Sequence, residues 1–302
     1  MKKLFQSFSW LSLKKLPWEQ RTRAQKQRFI VRIAAFCLMG IIMLGSLSHF
    51  GYQSYQKYAA RKAYEELLAK ITPKPTLAPT PTPRPTATPG VKITLEPTPE
   101  PTPDLRPTSD PAPPEFVTEL MAEYPDVAAF LDVPGTRIRY PVVQGPHNDY
   151  YLDRLYNGRV NGAGSLFLDT YHTKDFTGQN CIIYGHRRTD GSMFFDLEQY
   201  AEPEFARMHQ RITLTLPDRV VNCRVFAASV VGAYFDYRHP EYQPESAFNA
   251  YIDRIMQQDY AQLGTPLPYY GQSILGLSTC NFFIKGQDTR FVVFCVIDEE
   301  AY

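Results

Sequence analysis

The sequence predicts a mostly β domain, barrel or sandwich, with a few helices, set behind an N-terminal membrane helix and a proline-rich spacer. Three observations point there: short β-type runs punctuated by turn residues after position 115, an uncharged apolar stretch near the N-terminus, and a proline cluster between the two. The averages of the 302-residue chain conceal this, since 44% hydrophobic residues, 21% charged residues and a net charge of +1 describe an ordinary soluble protein. By segment the charge is +8 over residues 1–32, +2 over 33–71, zero over 72–114 and −9 over 115–302. Fifteen of the 26 prolines fall between Thr72 and Pro114. A uniform globule, a collagen-like repeat and a disulfide-dense scaffold are excluded, the last because five cysteines are too few.

Residues 1–32 form a basic arm. Residues 33–50, IAAFCLMGIIMLGSLSHF, carry no formal charge, and at 1.5 Å per residue they span about 27 Å, near the hydrocarbon thickness of a bilayer. The arm is too long for an ordinary signal-peptide n-region and no A-x-A site follows, so the stretch reads as an uncleaved anchor. The positive-inside rule keeps the arm cytoplasmic and turns everything after Gly51 outward, giving a single-pass protein of the cell membrane with an extracellular domain. Residues 51–71 contain few breakers and continue the helix. Residues 72–114, with PTPTPRPTATP and LEPTPEPTPD, favour polyproline II, and at about 3.1 Å per residue they reach roughly 130 Å as a spacer.

Residues 115–302 form the globular domain. A helix is expected where Phe116, Leu120, Met121 and Tyr124 recur every three to four residues. Strands are expected at Ile138–Val143, Ser165–Leu168, Cys181–Tyr184, Ile212–Leu216, Cys223–Val231, Ser273–Thr279 and Arg290–Ile297. The insertion Phe235–Pro268 contains a helical segment, Glu245–Met256, with Phe248, Ile252, Ile255 and Met256 at helical spacing.

Cys181, Cys223 and Cys295 sit inside β-type runs among apolar neighbours, as small hydrophobes do. Cys280 instead ends the run SILGLSTC, where a ligand can reach a thiol. It is the candidate nucleophile, with a disulfide as the rival reading in an extracytoplasmic domain. His186 ends another run, CIIYGH, and is the candidate proton partner, while His147, His172, His209 and His239 read as solvated loop residues. Arg290 opens the run RFVVFCVI and would return beside Cys280 if the two runs pair, as a candidate oxyanion donor. In so acidic a domain it is expected to be an isolated positive feature. No Cys/His pattern has zinc spacing, no glycine-rich phosphate loop is present, and no basic, aromatic-interleaved surface suggests nucleic acid, so no cofactor and no metal are expected.

At these residues the sequence resembles the class B sortases, over about Glu115 to Ile297. NCIIYGHRRTDGSMF is similar to the family's histidine motif, LSTC to its catalytic cysteine signature, RFVVF to the segment with its arginine, and VPGTRIRYPVVQGPHNDYYLD to its opening strand and groove. The resemblance implies a closed sortase-type β-barrel, with a helix in the loop before the cysteine strand, and a cysteine transpeptidase that needs no metal for its chemistry. Carried over by position, Cys280 would attack the Thr carbonyl of an Asn-Pro-x-Thr sorting signal. His186 would serve as acid and base, and Arg290 would stabilise the oxyanion. Ser278, Thr279, Asn148 and Leu152 would border the substrate. The implied partners are secreted proteins with a C-terminal sorting signal and an amine acceptor, either a peptidoglycan precursor or a pilin lysine. Asn281 departs from members that place an acid directly after the cysteine. Two other readings of the chain are a different cell-wall cysteine transpeptidase and a non-catalytic wall-binding module. In a cell-wall L,D-transpeptidase the Ser-His-Gly-Cys arrangement sets His and Cys two apart, against 94 here. A non-catalytic wall-binding module would not need Cys280, His186 and Arg290 together.

Overall fold

Helix α1 (Arg23–Ile71) opens on a reciprocal cap, in which the Thr22 side chain accepts from the Gln25 N–H (3.4 Å) and Gln25 Oε1 accepts from the Thr22 N–H (3.1 Å). The computed structural model describes residues 18–20, 22–71, 112–232, 235–281 and 289–298, with Gln20, Cys280 and Asn281 through their backbone alone. Most of the basic arm and residues 72–111 of the Thr/Pro tract lie outside the described residues. The chain divides into two units, Met1–Tyr58 and Ala59–Tyr302. In the first, the apolar stretch of α1 is exposed, including Ile41, Leu44 and Phe50, and α1 is the one described helix long and apolar enough to cross a membrane.

In the second unit the last turns of α1 bury Ala60, Tyr64 and Leu67. Helix α2 (Pro114–Glu123) starts on a proline at its first position, buries Phe116, Val117 and Leu120, and stops two residues before Pro125, which disfavours helical geometry in Tyr124 ahead of it. Eight strands follow: β1 (Val127–Asp132), β2 (Arg139–Val143), β3 (Leu166–Leu168), β4 (Asn180–Gly185), β5 (Arg211–Thr215), β6 (Val220–Gly232), β7 (Ile274–Asn281) and β8 (Thr289–Asp298). They close a barrel in the order β1-β2-β3-β4-β7-β8-β6-β5, with β5 pairing back to β1. The pairs β2–β3 and β4–β7 are parallel. The fold is therefore the closed barrel of the two options the strand pattern left open.

Three elements escaped sequence reading. All six residues of β1 are buried, so it shows no alternation to mark it as a strand. The 3-10 segment Phe194–Ala201 and the short helix α3 (Pro203–Met208) are too brief to carry a periodic signal. Helix α4 (Glu245–Met256) has the expected bounds and buries Phe248, Tyr251, Ile252 and Ile255.

Alternation sorts the strands into two apolar clusters. Cys181, Ile183, Leu275, Leu277, Phe291, Val293 and Cys295 belong to the large core inside the barrel. Ile182, Ile274, Val292, Phe294 and Val296 pack on the outer face with Phe226 and the α4 residues Phe248, Tyr251, Ile252 and Ile255. This second cluster holds α4, and with it the long β6–β7 connection, against the barrel wall. Each fully buried side chain contributes about 1.5–3 kcal/mol.

Candidate active site

The parallel ladder between β4 and β7 ends at Gly185 opposite Thr279, so His186 leaves β4 one step further, level with Cys280. On the other side of β7 the antiparallel ladder pairs Cys280 directly with Arg290. The strand order β4-β7-β8 thus sets positions 186, 280 and 290 side by side at one end of the barrel. Gly185 is required there, because a Cβ would stand 2.4 Å from Leu166 Cδ2 and 2.6 Å from Phe194 Cδ2.

The sequence after His186 folds back to hold it. Phe194 N–H donates to the His186 carbonyl (2.9 Å). Asp190 Oδ1 accepts from both the N–H (3.1 Å) and the hydroxyl (2.6 Å) of Ser192, an Asx-type turn, and Arg188 reaches Asp190 and the Gly162 carbonyl (2.7 Å). Burial works against the Asp190 charge, but the Arg188 and Ser192 hydrogen bonds outweigh it and bring the carboxyl down to about 2. Arg187 pairs with Glu198. These contacts give the RRTDGSMF run its physical role, which the sequence reading took only as a family mark. The His186 ring donates through Nε2 to the Leu152 carbonyl (2.6 Å), which makes Nε2 the protonated nitrogen.

A cleft of about 400 Å³ opens at this end. Six of the seven sequence-nominated residues border it: His186, Arg290, Ser278, Thr279, Asn148 and Leu152. The side chain of the seventh, Cys280, is outside the description, and so is that of Asn281. Ser278 and Thr279 are each 1% exposed, and Ser278 Oγ lies 3.0 Å from the Tyr237 hydroxyl. Asn148 Oδ1 accepts from the Thr170 N–H (2.9 Å) and so ties its loop to the turn after β3. The Arg290 guanidinium donates to the Thr289 carbonyl (3.0 Å).

Sequence reasoning missed Tyr237 and Arg238, which reach the cleft from the β6–β7 connection, together with Tyr184 and Asp149. Arg290 is therefore not the isolated cation that the acidic composition suggested, because Arg238 borders the same cleft. Arg238 Nη2 meets Asp169 Oδ2 at 3.1 Å, and Asp169 also accepts from the Tyr184 hydroxyl (2.7 Å) and the Tyr171 N–H (3.0 Å). Burial alone would raise the Asp169 carboxyl, but the Tyr171, Tyr184 and Asn148 hydrogen bonds and the Arg238 charge together hold it below the ordinary range.

Cys37, Cys181, Cys223 and Cys295 are free thiols. Burial pushes Cys181 up to about 12 and also raises Cys223 and Cys295, so none of these three barrel thiols ionises at neutral pH. His172 is 6% exposed rather than solvated, and burial lowers its pKa. His209 stacks on Phe205 with ring centroids 4.0 Å apart. Among the described residues no three His, Cys, Asp or Glu side chains gather as metal ligands.

A sortase-domain family model matches residues 131–298, more than half of the chain. Sortase B of Listeria monocytogenes is 32% identical over 168 residues, which cover 56% of this chain and 68% of that protein. Sortase B of Staphylococcus aureus is 25% identical over a stretch of the same length. A solved sortase B–substrate complex from S. aureus superposes with a TM-score of 0.56 at 24% identity, covering 61% of this chain and 84% of that one. A Bacillus anthracis sortase B in complex with AAEK1 gives a TM-score of 0.54 at 26% identity, over 60% and 83% of the two chains.

Proposed function

Because the chain belongs to the sortase family, and is a cysteine transpeptidase of the sortase B kind, we propose that its chemistry runs through Cys280, His186 and Arg290 on a C-terminal sorting signal of the Asn-Pro-x-Thr type. The observation that carries this reading is the strand register, which levels positions 186, 280 and 290 beside one cleft. The Cys280 thiolate attacks the Thr carbonyl carbon, and the negative charge that develops on its oxygen falls within reach of the Arg290 guanidinium, which stays charged at any working pH. The scissile C–N bond breaks as imidazolium at His186 protonates the departing amine, leaving a thioacyl enzyme. An incoming amine then attacks the thioester, gives its proton to His186, and expels the thiolate. With Nε2–H committed to the Leu152 carbonyl, Nδ1 is the nitrogen that exchanges this proton.

Asn148, Leu152, Ser278 and Thr279 border the sorting signal in this reading. Residues 33–50 anchor the enzyme, residues 1–32 stay cytoplasmic, residues 51–71 continue the helix, and residues 72–114 space the catalytic domain 115–302 from an outer membrane surface, where protein arrives and an acceptor amine of peptidoglycan or a pilin waits. A quenched-fluorophore peptide carrying the Asn-Pro-x-Thr signal tests the assignment. The wild type releases the C-terminal fragment and shows a thioacyl adduct by mass spectrometry, and Cys280→Ala shows neither. Release by Cys280→Ala would overturn the reading.

A further inference from the structure

We propose that the end of α1 is a working part of the cleft, with Tyr64 as a positioning residue that fixes the ring of His186. The proposal rests on the reading of His186 as the acid–base group. Ala60, Tyr64 and Leu67 are spaced four and three residues apart, so they share one helix face, and they are 5%, 6% and 1% exposed. The Tyr64 ring meets Tyr140 edge-on at 5.0 Å and leans against Tyr156 at 5.5 Å. Those contacts dock the helix, and the hydroxyl does something more.

It donates to the carbonyl of Gly164 (3.2 Å), a residue 100 positions away, and lies 3.1 Å from Ser165 Oγ. Ser165 in turn joins two stretches of chain, because its hydroxyl donates to the Arg154 carbonyl (2.9 Å) and its N–H to the Tyr151 carbonyl (3.1 Å). The stretch 151–154 contains Leu152, whose carbonyl receives the His186 Nε2–H. The stretch 161–165 contains Gly164 at φ +65°, where a Cβ would stand 2.8 Å from His186 Cδ2 and 2.7 Å from the Leu152 carbonyl oxygen. The carbonyl that orients the imidazole and the backbone that walls it are thus the two segments joined at the Tyr64 hydroxyl. A phenol on the membrane-proximal helix sets the geometry of the proton-transfer group without touching substrate.

Tyr64→Phe keeps the ring contacts and removes only the hydroxyl. The experiment uses the full chain in detergent micelles, with the sorting-signal peptide and an amine acceptor, and compares the wild type, Tyr64→Phe, Ser165→Ala and His186→Ala. Tyr64→Phe is expected to lower kcat about tenfold while KM stays within about twofold, because displacement of a catalytic group slows the reaction without weakening substrate binding. Ser165→Ala, which removes the same junction from the other side, gives a smaller fall in kcat of the same kind. Thermal melting separates positioning from folding: the Tm of Tyr64→Phe stays close to wild type while kcat falls. Wild-type kcat in Tyr64→Phe beside an inactive His186→Ala would overturn the Tyr64 proposal alone. A His186→Ala variant as active as wild type would overturn the reading beneath it, and this proposal too. A loss of kcat matched by a fall in Tm in both Tyr64→Phe and Ser165→Ala would reduce the contact to packing and likewise overturn it.

Discussion

On β4, β7 and β8 the inner and outer faces share one backbone and meet opposite fates. Inward, Cys181, Ile183, Leu275, Leu277, Phe291 and Val293 fill a closed barrel. Outward, Ile182, Ile274, Val292 and Phe294 are capped by Phe248, Tyr251 and Ile255 of α4, but only along part of the strands. Beside that cover, toward the strand ends, Tyr184, Ser278 and Arg290 border the open cleft. Alternation decides which face a residue takes, and distance along the strand decides whether that face is packed or left for substrate. The cysteines show the inner side of the contrast, since Cys181 and Cys295 have their thiols raised by burial and serve as apolar filler.

Arg290 separates the two stretches of the outer face most sharply. Arg290→Ala is expected to lower kcat/KM by about 10³-fold, roughly 4 kcal/mol of transition-state stabilisation, with the urea midpoint nearly unchanged. Arg290→Lys should recover only part of the loss, because a point charge does not reproduce the planar guanidinium fork. A drop below tenfold for Arg290→Ala would show that the neighbouring Arg238 carries the charge of the cleft.

A smaller effect is expected on the packed stretch of the same outer face. Phe248→Ala removes a fully buried ring from beneath α4 and should cost about 3 kcal/mol in urea unfolding. Because α4 holds the connection that carries Tyr237 and Arg238, KM for the sorting peptide should rise while the chemistry at the strand ends persists. An unaltered unfolding midpoint would mean that the barrel does not depend on this cover.

Where the chain alternates or repeats, its structure was legible in the sequence. Helix α4 appears with the bounds that Phe248, Ile252 and Ile255 suggest, since a three-to-four spacing has one structural solution. Strand β1 was not legible, because ladders to both β2 and β5 bury every residue and erase the alternation. At the cleft, His186 and Arg290 stood out because they end or open apolar runs. Tyr237 and Arg238 did not, because they lie in an irregular connection and reach the cleft through tertiary packing. Arg238 finds Asp169 across 69 residues, a contact no local pattern encodes. The Tyr64–Gly164 contact is longer still in sequence, and nothing in the helix marks that tyrosine apart from Tyr55 or Tyr58.

Two buried carboxylates, each with an arginine, extend the contrast to electrostatics. Asp169, beneath the cleft, receives donors from Tyr171 and Tyr184 besides Arg238, and its carboxyl is held low. Asp132, across the β1–β2 ladder from Arg139, meets that side chain at 2.9 Å, and burial, the larger influence, pushes its carboxyl up to about 6. At Asp132 the charge and hydrogen bond of one arginine do not offset desolvation, whereas at Asp169 the hydrogen bonds of Tyr171, Tyr184 and Asn148 together with the Arg238 charge do. A raised carboxyl binds its proton more tightly in the folded state than in the unfolded one. Its contribution to stability is therefore fully present below about pH 4 and is lost as pH rises through 6. Asp132→Asn removes the titrating group. The stability of the wild type relative to this variant should fall by on the order of 1–2 kcal/mol between pH 4 and 7 and stay level above that, as measured by urea unfolding at half-unit steps. Parallel pH curves for the two proteins would mean that Arg139 alone keeps the Asp132 charge satisfied, and that the number of donors is not what separates the two sites.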